Sequence, residues 1–447
     1  MTTYARRLGL FSATMAVVGG IIGGGIFRTP ASVAARVGNP ALALGTWGAG
    51  ALVALAGAFC FAELAWRRPR AGGGYVYLRE AWGPLPAFLY GWALLLVIAT
   101  GAIAAVAVTF ADYTLALMGL PATLAVPLAV FAIVLLAGIN YVGVRPGAIT
   151  VNVLTVLKLV ALATLIAAGI ALAVPAAAHD SPALSGSGGL RAFGAALVPV
   201  LFTYGGWQQT NFIAEEIVEP ERTLPRALVL GVAIVAAVYL LANFAYLRVL
   251  GPAGLAASSA PAADTMRRLL GPAGGTFIAA GIAISTFGFL DLVILVTPRV
   301  LQAMAADGVF FPRLAALHPR YQTPAAAIVA ESAWAIVLTL TGTFAQLVDY
   351  VSFGDWIFFG LTAAGLAQIR AADRATSAPE GRGLLVPGYP WTVAFFVLAA
   401  VLVVVSSVLE SPRNAAIGTG LLLLGVPVFR WWARARPLPA VDAAGSA

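Results

Sequence analysis

The chain has 447 residues, of which 61% are hydrophobic and only 10% are charged, and its formal net charge is +8. A soluble domain carries about 25% charged residues and cannot bury this much apolar surface, so a soluble globular protein is excluded. The positive charge gives no support to nucleic-acid binding, because attraction to anionic lipid accounts for it and no basic patch with interleaved aromatic residues stands outside the apolar runs.

Apolar runs long enough to cross about 30 Å of hydrocarbon as helices follow one another along the chain. They predict an all-α polytopic membrane protein with about 12 transmembrane helices. The predicted spans are 9–34, 41–65, 86–116, 122–143, 147–173, 192–216, 226–249, 273–304, 324–342, 346–370, 389–409 and 416–434.

An even number of spans puts both termini on one side of the membrane. Placing that side in the cytoplasm assigns most of the arginines to internal segments, which satisfies the positive-inside rule. The first apolar segment lacks a small-residue cleavage site after a short core, so we expect it to remain in the mature protein. Frequent alanine and arginine and the near absence of lysine fit a prokaryotic plasma membrane (inner membrane) protein.

Two spans contain glycine clusters where good helix formers are expected. Span one contains the stretch Gly19 to Gly25, and span six contains Tyr204-Gly205-Gly206-Trp207. The clusters lie at matching positions if spans 1–5 and 6–10 are two copies of a five-helix unit, which predicts a 5+5 inverted repeat with broken helices 1 and 6. The alternative is that the glycines only let neighbouring helices approach closely.

This interpretation divides the chain into four parts. A first five-helix repeat covers 1–173 and a second, inverted repeat covers 191–370. Two additional transmembrane helices cover 389–435. The tail at 436–447 is rich in proline and alanine, and we expect it to be disordered.

A broken helix exposes free amide donors on one fragment and free carbonyls on the other, and the helix dipoles add charge of matching sign. Such a pair of ends suits a small zwitterion. In span one the amides precede a helix predicted to restart at Ile26, so they are expected to bind a carboxylate, while carbonyls around Ile21 and Phe202 accept from an ammonium. The predicted amide donors are Gly23, Gly24 and Gly25.

Motifs along nearly the whole chain carry a resemblance to a known family. They are Ile21–Phe27, Phe59–Leu64, Gly72–Tyr75, Phe202–Trp207, Asn211-Phe212 with Glu215-Glu216, and Pro298-Arg299 through Asp307-Gly308 to Pro312. Together they resemble the amino acid–polyamine–organocation superfamily, and most closely its L-type amino acid transporters.

The resemblance implies a sodium-independent secondary transporter of amino acids that alternates access by moving a helix bundle against a scaffold. It implies no covalent chemistry, so the protein is not expected to be an enzyme and no cofactor is predicted. Phe202 and Trp207 are implied as gating residues, although ordinary aromatic packing is the alternative for both. The implied substrate-binding residues are Ile21, Gly23, Gly24, Gly25, Phe202, Thr203, Gly205 and Gln208.

Lys158 is the only lysine of the chain and lies in the middle of an otherwise apolar fifth span, where snorkelling to water is difficult. An ionisable group at this depth is a functional-site hypothesis by default. Asn152 through Lys158 resembles the fifth span of sodium-independent relatives, whose lysine takes the place of a sodium ion and contacts the broken first helix. We therefore predict a coupling role for Lys158, with a structural hydrogen bond to span one as the alternative.

Asp291 departs from the family pattern, because the relatives usually carry a neutral residue, often asparagine, after the sequence Phe287-Gly288. A carboxylate there would favour a cationic substrate side chain or supply a second titratable group, so Asp291 is included among the predicted substrate-binding residues. The alternatives are that Asp291 pairs with a buried arginine or that its carboxyl is protonated. The other intramembrane acids are expected to have gating or structural roles: Glu63, Asp112, Glu215, Glu216, Glu331 and Asp355.

Several alternatives stay open at this stage. Proton symport and amino acid exchange are equally compatible with the sequence, and a polyamine or other organic-cation permease of the same fold is a further possibility. His179 and His318 lie in separate loops without acidic neighbours, so no metal site is predicted. Cys60, the only cysteine, lies inside a span, so no disulfide-linked heavy subunit is expected, and a monomer and a homodimer are both compatible.

Overall fold

A computed structural model describes residues 4–172, 189–342, 344–375 and 383–435. Within these ranges the chain is helical and has no strand, apart from an isolated parallel bridge between Leu8 and Ile217. The predicted disordered tail at 436–447 and the loop residue His179 lie outside the described residues. The prediction of an all-α protein is confirmed for the part that is described.

The helices follow one another with short connections. In chain order they are α1 (Leu10–Ile21), α2 (Thr29–Val37), α3 (Pro40–Arg67), α4 (Gly74–Trp82), α5 (Pro84–Ala93), α6 (Ala99–Met118), α7 (Ala125–Tyr141), α8 (Val144–Ala171), α9 (Leu190–Thr203), α10 (Pro220–Ala257), α11 (Pro261–Val296), α12 (Pro298–Ala306), α13 (Ala325–Thr341), α14 (Phe344–Ala375), α15 (Trp391–Glu410), α16 (Pro412–Leu423) and α17 (Gly425–Ala435). Short 3-10 segments cover Gly25–Phe27, Ala122–Leu124, Trp207–Glu216 and Pro312–Leu314, and a π-helical turn covers Leu94–Ile98.

Among the described residues, 8 helical segments are long and apolar enough to cross a membrane. They are Pro40–Arg67, Pro84–Met118, Ala122–Tyr141, Val144–Ala171, Pro220–Ala257, Pro261–Ala306, Trp391–Glu410 and Pro412–Trp432. This number of apolar helices supports a polytopic membrane protein.

Two predicted spans differ in their bounds from the helices α10 and α11. In each of these helices a glycine–proline pair produces a kink, and helix is present on both sides of it. The span predicted at 226–249 lies within α10, which continues past a kink at Gly251 (φ 70°) that precedes Pro252. The span predicted at 273–304 starts late, since α11 already begins at Pro261 and bends at Gly271 (φ 66°). The apolar run of α10 therefore lies before its kink, whereas the apolar run of α11 lies after its kink.

Small residues let the central helices approach closely. Helix α10 packs on α3, and α11 packs on α8. A Cβ added at Gly281 of α11 would lie 2.9 Å from the Cβ of Ala161 in α8, and one added at Gly169 would lie 2.7 Å from the Cβ of Ala245 in α10. Close packing of this kind stabilises helices in lipid, where apolar burial gives little drive for association.

The segment before α1 ties the start of the chain to the middle of it. The N–H groups of Arg7 and Leu8 donate to the Glu216 carbonyl at 2.9 and 3.0 Å, and the Val218 N–H donates back to Leu8 at 2.9 Å. These bonds hold the beginning of α1 beside the end of the 3-10 segment that follows α9.

Candidate functional site

The first helix is interrupted at the predicted glycines. Helix α1 ends at Ile21, a 3-10 turn covers Gly25–Phe27, and regular helix resumes with α2 at Thr29. The predicted restart at Ile26 is therefore wrong by three residues. The first regular turn contains Pro30, whose missing N–H costs no helical bond at that position.

The N–H groups at this first break differ in their partners. Gly23 donates to the Ile21 carbonyl at 2.9 Å in a tight turn. In the described part of the chain, no acceptor lies within hydrogen-bond distance of the N–H of Gly24 or Gly25. Both glycines line a cavity, and the position of a Cβ on Gly24 is open space. Two adjacent unpaired donors at a helical start suit a bound anion.

The two carbonyls predicted to accept an ammonium also differ. The Ile21 carbonyl already accepts from the Gly23 N–H and, at 3.0 Å, from the Tyr239 hydroxyl, so both of its lone pairs are occupied. The Phe202 carbonyl accepts from the Gly205 N–H at 3.1 Å and is also approached by the Tyr204 N–H, which bonds to the Val200 carbonyl at 3.0 Å. Unlike the Ile21 carbonyl, it accepts from no side chain among the described residues, and Phe202 lines the cavity.

Tyr239 of α10 is a site residue that the sequence did not identify. Its hydroxyl lies 3.0 Å from the Ile21 carbonyl and 3.4 Å from the Thr203 carbonyl, so it bridges the ends of α1 and α9. The ring is fully buried and packs edge-on against Trp47, 5.6 Å between centroids. A tyrosine in the middle of an apolar span was the available signal, because a buried hydroxyl needs a hydrogen-bond partner.

The second break satisfies the amides of its two glycines, Gly205 and Gly206. Helix α9 ends at Thr203, and the 3-10 segment begins at Trp207. Gly206 has φ 108°, a conformation that favours glycine, and a Cβ there would strike the carbonyl oxygen of Gly20. The Gly206 N–H donates to the Gln208 side-chain oxygen at 3.0 Å, so Gln208 caps this break from within. The two broken helices therefore touch at these glycines.

Thr203 connects the second break to α2, the helix that follows the first break. Its hydroxyl lies 2.9 Å from the hydroxyl of Thr29 at the start of α2, and it also donates to the Pro199 carbonyl at 2.8 Å. A Cβ added at Gly25 would lie 2.8 Å from the Thr203 Cγ2 atom, so this contact needs glycine at position 25.

Lys158 of α8 is fully buried, and its ammonium lies against the first break. The Nζ atom donates to the carbonyls of Ile22 at 2.7 Å, Ser285 at 3.1 Å and Gly19 at 3.3 Å, which uses all three of its N–H groups. The Ser285 hydroxyl lies 3.2 Å from the carbonyls of both Ile22 and Gly23. The ammonium thus stands where backbone carbonyls converge, and its role in coupling stays a prediction.

A cavity of about 510 Å³ lies between the two breaks and helices α5, α6, α11 and α14. Its size falls within the range of about 300–1,000 Å³ that small-ligand sites occupy. Part of its wall is the π-helical turn, an element that is frequent at functional sites. The lining includes Ile21, Gly23, Gly24, Gly25, Thr29, Tyr90, Leu94, Val97, Phe202, Thr203, Gly205, Gln208, Gln209, Phe289, Asp355 and Trp356.

The two predicted gating residues occupy different environments. The Phe202 ring lines the cavity, is 37% exposed, and lies edge-on to Trp356 with centroids 6.4 Å apart. The Trp207 ring is buried against Phe61, 4.9 Å between centroids, and against Phe359 at 6.1 Å. Phe202 is therefore placed at the ligand space, whereas Trp207 packs behind it.

Asp291 lies outside the cavity. It is fully buried in α11, and one of its oxygens accepts from the Asn140 side-chain amide at 2.7 Å. Its second oxygen and the Asn140 oxygen have no partner among the described residues. Asp291 is not among the residues that line the cavity, because its face of α11 is turned toward Asn140 of α7, and its contact with a substrate side chain stays a prediction.

Asp355 of α14, for which a gating or structural role was expected, is the carboxylate that lines the cavity among the described residues. The other acids differ from it in their surroundings. Glu216 pairs with Arg299 at 2.9 Å, with both side chains buried, and the Glu215 side chain accepts from the Ala71 N–H at 3.2 Å. Asp112 is exposed near the end of α6, and Glu331 is buried in α13.

A network of ion pairs joins helices at the end of the bundle where α3 and α14 terminate. Glu63 pairs with Arg67 at 2.8 Å and with Arg370 at 2.5 Å, and Asp373 pairs with Arg67 and Arg68 at 2.5 and 2.6 Å. Burial raises the pKa of Asp373, but the hydrogen bonds from Arg68 and Arg67 outweigh it and hold that pKa below its usual range. The network holds the ends of α3 and α14 together at this end of the bundle.

Comparison with known proteins gives a consistent set of relatives. A family model described as amino acid permease matches residues 8–429. The b(0,+)-type amino acid transporter 1 of Mus musculus is 33% identical over 405 residues, which cover 89% of this chain and 83% of that protein. The large neutral amino acids transporter small subunit 2 of Oryctolagus cuniculus is 32% identical over 441 residues, 95% of this chain and 80% of that protein.

A bacterial relative matches over a similar length. The serine/threonine exchanger SteT of Bacillus subtilis (strain 168) is 30% identical over 427 residues, which cover 95% of this chain and 96% of that protein. All three relatives are named as transporters or exchangers of amino acids, and none is named as an enzyme.

Proposed function

The chain belongs to the amino acid permease family, and from that premise we propose that it is a sodium-independent secondary active transporter of amino acids that works by alternating access. The observation that carries the proposal is the pair of unpartnered N–H groups on Gly24 and Gly25, two residues that line a cavity together with Phe202, whose carbonyl accepts from no side chain among the described residues. A carboxylate on the amides and an ammonium on the carbonyl account for both ends of an α-amino acid.

The proposed binding site is centred on the first break. Gly24 and Gly25 bind the carboxylate, and Phe202 supplies a carbonyl to the ammonium and a ring that covers the ligand. Gly23, Ile21, Thr203, Gly205 and Gln208 contribute indirectly, since their polar groups already bond to other protein groups and fix the shape of both breaks.

Lys158 supports transport without sodium. A sodium ion needs several oxygen ligands, and the carbonyls of Gly19, Ile22 and Ser285 that converge beside the first break already accept from the Lys158 ammonium. Lysine also loses its proton more readily when it is desolvated, so this residue is suited to coupling transport to protons. Proton symport and amino acid exchange both remain compatible with this arrangement.

The proposed architecture has twelve crossings, formed by the 8 apolar segments together with α1–α2, the pair of α9 and its 3-10 continuation, α13 and α14. The repeats would cover 1–173 and 191–370, with two additional helices in 389–435. We place the protein in a prokaryotic plasma membrane with both termini in the cytoplasm, because the arginine-rich segments then lie inside. The ion-pair network around Glu63 and Asp373 would then close the cytoplasmic end.

We expect no disulfide link to a heavy subunit. Cys60 is the only cysteine of the chain and is fully buried in α3, so it is not accessible to a partner. A monomer and a homodimer are both compatible with the proposal.

An uptake screen in proteoliposomes tests the function. The purified protein is reconstituted with each of the twenty amino acids inside, and counterflow is measured with sodium or choline outside and with or without a pH gradient. We expect counterflow of at least one amino acid that is unchanged in choline. A strict sodium requirement would overturn the coupling proposal, and a passive pore would give no counterflow at all.

A polyamine permease is the second candidate, and the cavity carboxylate of Asp355 is the observation that favours it. The unpartnered amides of Gly24 and Gly25 favour a substrate with a carboxylate, which polyamines lack. Putrescine in the same screen separates the two candidates, because counterflow of putrescine without counterflow of any amino acid would replace the leading proposal.

A further inference from the structure

Asp355 differs from the other lining residues of the cavity in its charge. Among the described residues that line the cavity it is the only charged one, and the remaining polar groups there are hydroxyls, amides and backbone. No ion pair or hydrogen bond to its carboxylate occurs within the part of the chain that the structure describes. A carboxylate beside a small desolvated space needs either a cation or a proton.

Two other buried acids are neutralised by arginines of the protein, whereas Asp355 is the acid that lines the cavity. Glu63 lies between Arg67 and Arg370, and Glu216 pairs with Arg299. Asp355 faces the ligand space instead, so a cation that pairs with it has to enter with the ligand. We propose that Asp355 binds the cationic end of the substrate side chain, and that the site therefore takes dibasic amino acids. This inference rests on the function proposed above.

The cavity that Asp355 lines also has walls that suit such a side chain. Leu94, Val97 and Phe289 contribute apolar surface to the lining, and Trp356, the residue after Asp355, lies edge-on to Phe202. Lysine and arginine side chains have an apolar stem and a charged end, so the stem would contact the apolar walls while the end reaches the carboxylate. Aromatic rings in contact with a cation add further attraction.

The charge of the Asp355 carboxylate makes the site distinguish between substrate side chains. The α-carboxylate and α-ammonium are common to all amino acids and bind at the first break and at Phe202, so they do not distinguish one substrate from another. A neutral side chain would leave the Asp355 carboxylate desolvated and without a counter-charge, which is unfavourable. A cationic side chain removes that cost, and the preference should therefore follow the side-chain charge rather than its size.

Arginine and citrulline provide a matched pair of probes, because citrulline replaces the guanidinium with a neutral urea of similar shape. Binding of each to the purified full-length protein is measured by thermal shift titration, and counterflow is measured in proteoliposomes. We expect arginine to bind about 100-fold more tightly than citrulline, the scale found for a desolvated charge pair. Asp355→Asn should remove this preference while citrulline binding persists, and the exposed acid Glu410 provides the control variant Glu410→Gln, which should keep the preference.

The outcomes distinguish the assignment of Asp355 from the proposed transport of amino acids. Equal binding of arginine and citrulline by the wild-type protein, or an unchanged preference in Asp355→Asn, would overturn the assignment of Asp355 but leave amino acid transport intact. Binding of no amino acid at all would overturn the function itself. Agmatine, which is arginine without its carboxylate, should fail to compete; if it competes as well as arginine, the carboxylate site at Gly24 and Gly25 is wrong. If Asp355→Asn does not fold, the wild-type protein is tested with arginine and citrulline alone. A preference for arginine then supports the proposal, and equal binding overturns it.

Discussion

The two helix breaks look alike in sequence but differ in their hydrogen bonding. At the first break, the N–H groups of Gly24 and Gly25 have no acceptor among the described residues. At the second, the Gly206 N–H is bonded to the Gln208 side chain and the Gly205 N–H to the Phe202 carbonyl. The glycine amides of the first break are thus free for a ligand, whereas those of the second are bonded within the break, which touches and braces the first.

This difference separates binding from support within one site. Lys158 and Ser285 hold the carbonyl side of the first break, and Tyr239 fastens it to the second. The free amides belong to Gly24 and Gly25, which line the cavity. A glycine in the first break is therefore expected to affect binding, whereas a glycine in the second is expected to affect stability. Substitutions at each break test this difference.

The largest effect is expected from Lys158→Ala, which removes the ammonium beneath the first break. The carbonyls of Gly19, Ile22 and Ser285 would lose the buried ammonium donor that they share, which would destabilise the first break. We expect counterflow to fall to background. Thr155→Val on the same helix, which removes only a 3.4 Å contact to the Met15 carbonyl, is the control and should retain transport. Unchanged uptake by Lys158→Ala would remove this residue from the mechanism.

Gly206→Ala tests the bracing role of the second break. The new Cβ would strike the Gly20 carbonyl in a backbone conformation that side chains avoid, so the variant should lose about 4 kcal/mol of stability. Gly194→Ala in α9, where the added Cβ meets nothing within 4 Å, is the matched control and should be neutral or slightly stabilising. Thermal unfolding in detergent measures both. Equal stability of the two variants would contradict the close contact between the breaks.

Gly24→Ala tests the ligand role of the first break. Its φ is −82° and the position of the new Cβ is open, so the fold should be unaffected. The methyl group would keep a carboxylate away from the backbone, and we expect affinity for amino acids to fall about tenfold, the equivalent of one charge-assisted hydrogen bond. Titration of wild type and variant with the same amino acid measures the change. Undiminished affinity in a folded variant would move the carboxylate elsewhere.

The smallest effect is expected from Tyr239→Phe, which keeps the ring and removes the hydroxyl between the breaks. Loss of its bond to the Ile21 carbonyl should cost about 1 kcal/mol of stability. Tyr246→Phe on the same helix is the control, because its buried hydroxyl has no partner among the described residues and its removal should cost nothing. If both variants melt at the same temperature, the bridging hydroxyl does not stabilise the site.

The sequence predicted the position of both breaks because clustered glycines are poor helix formers at a depth where helix is otherwise required. The resemblance of Asn152 through Lys158 to sodium-independent relatives also implied a contact of Lys158 with the first helix, which the structure shows. Which amides stay free was not predictable, because that depends on the tight turn at Gly23 and on the rotamer of Gln208.

The aspartates illustrate the limit of sequence reasoning in apolar spans. Asp291 and Asp355 both lie among apolar residues, and periodicity cannot show which face of a helix is turned toward the cavity when nearly every position is apolar. The rotation of α11 and α14 is fixed by packing against their neighbours. Tyr239 presents the same difficulty, since its partner Ile21 lies 218 residues away along the chain.

An experimentally determined structure with a bound amino acid tests the central claim most directly. The account predicts that the substrate carboxylate lies within about 3 Å of the Gly24 and Gly25 nitrogens and that the ammonium lies on the Phe202 carbonyl. A carboxylate bound at the second break, or amides at Gly24 and Gly25 that remain unoccupied while substrate is present, would contradict it.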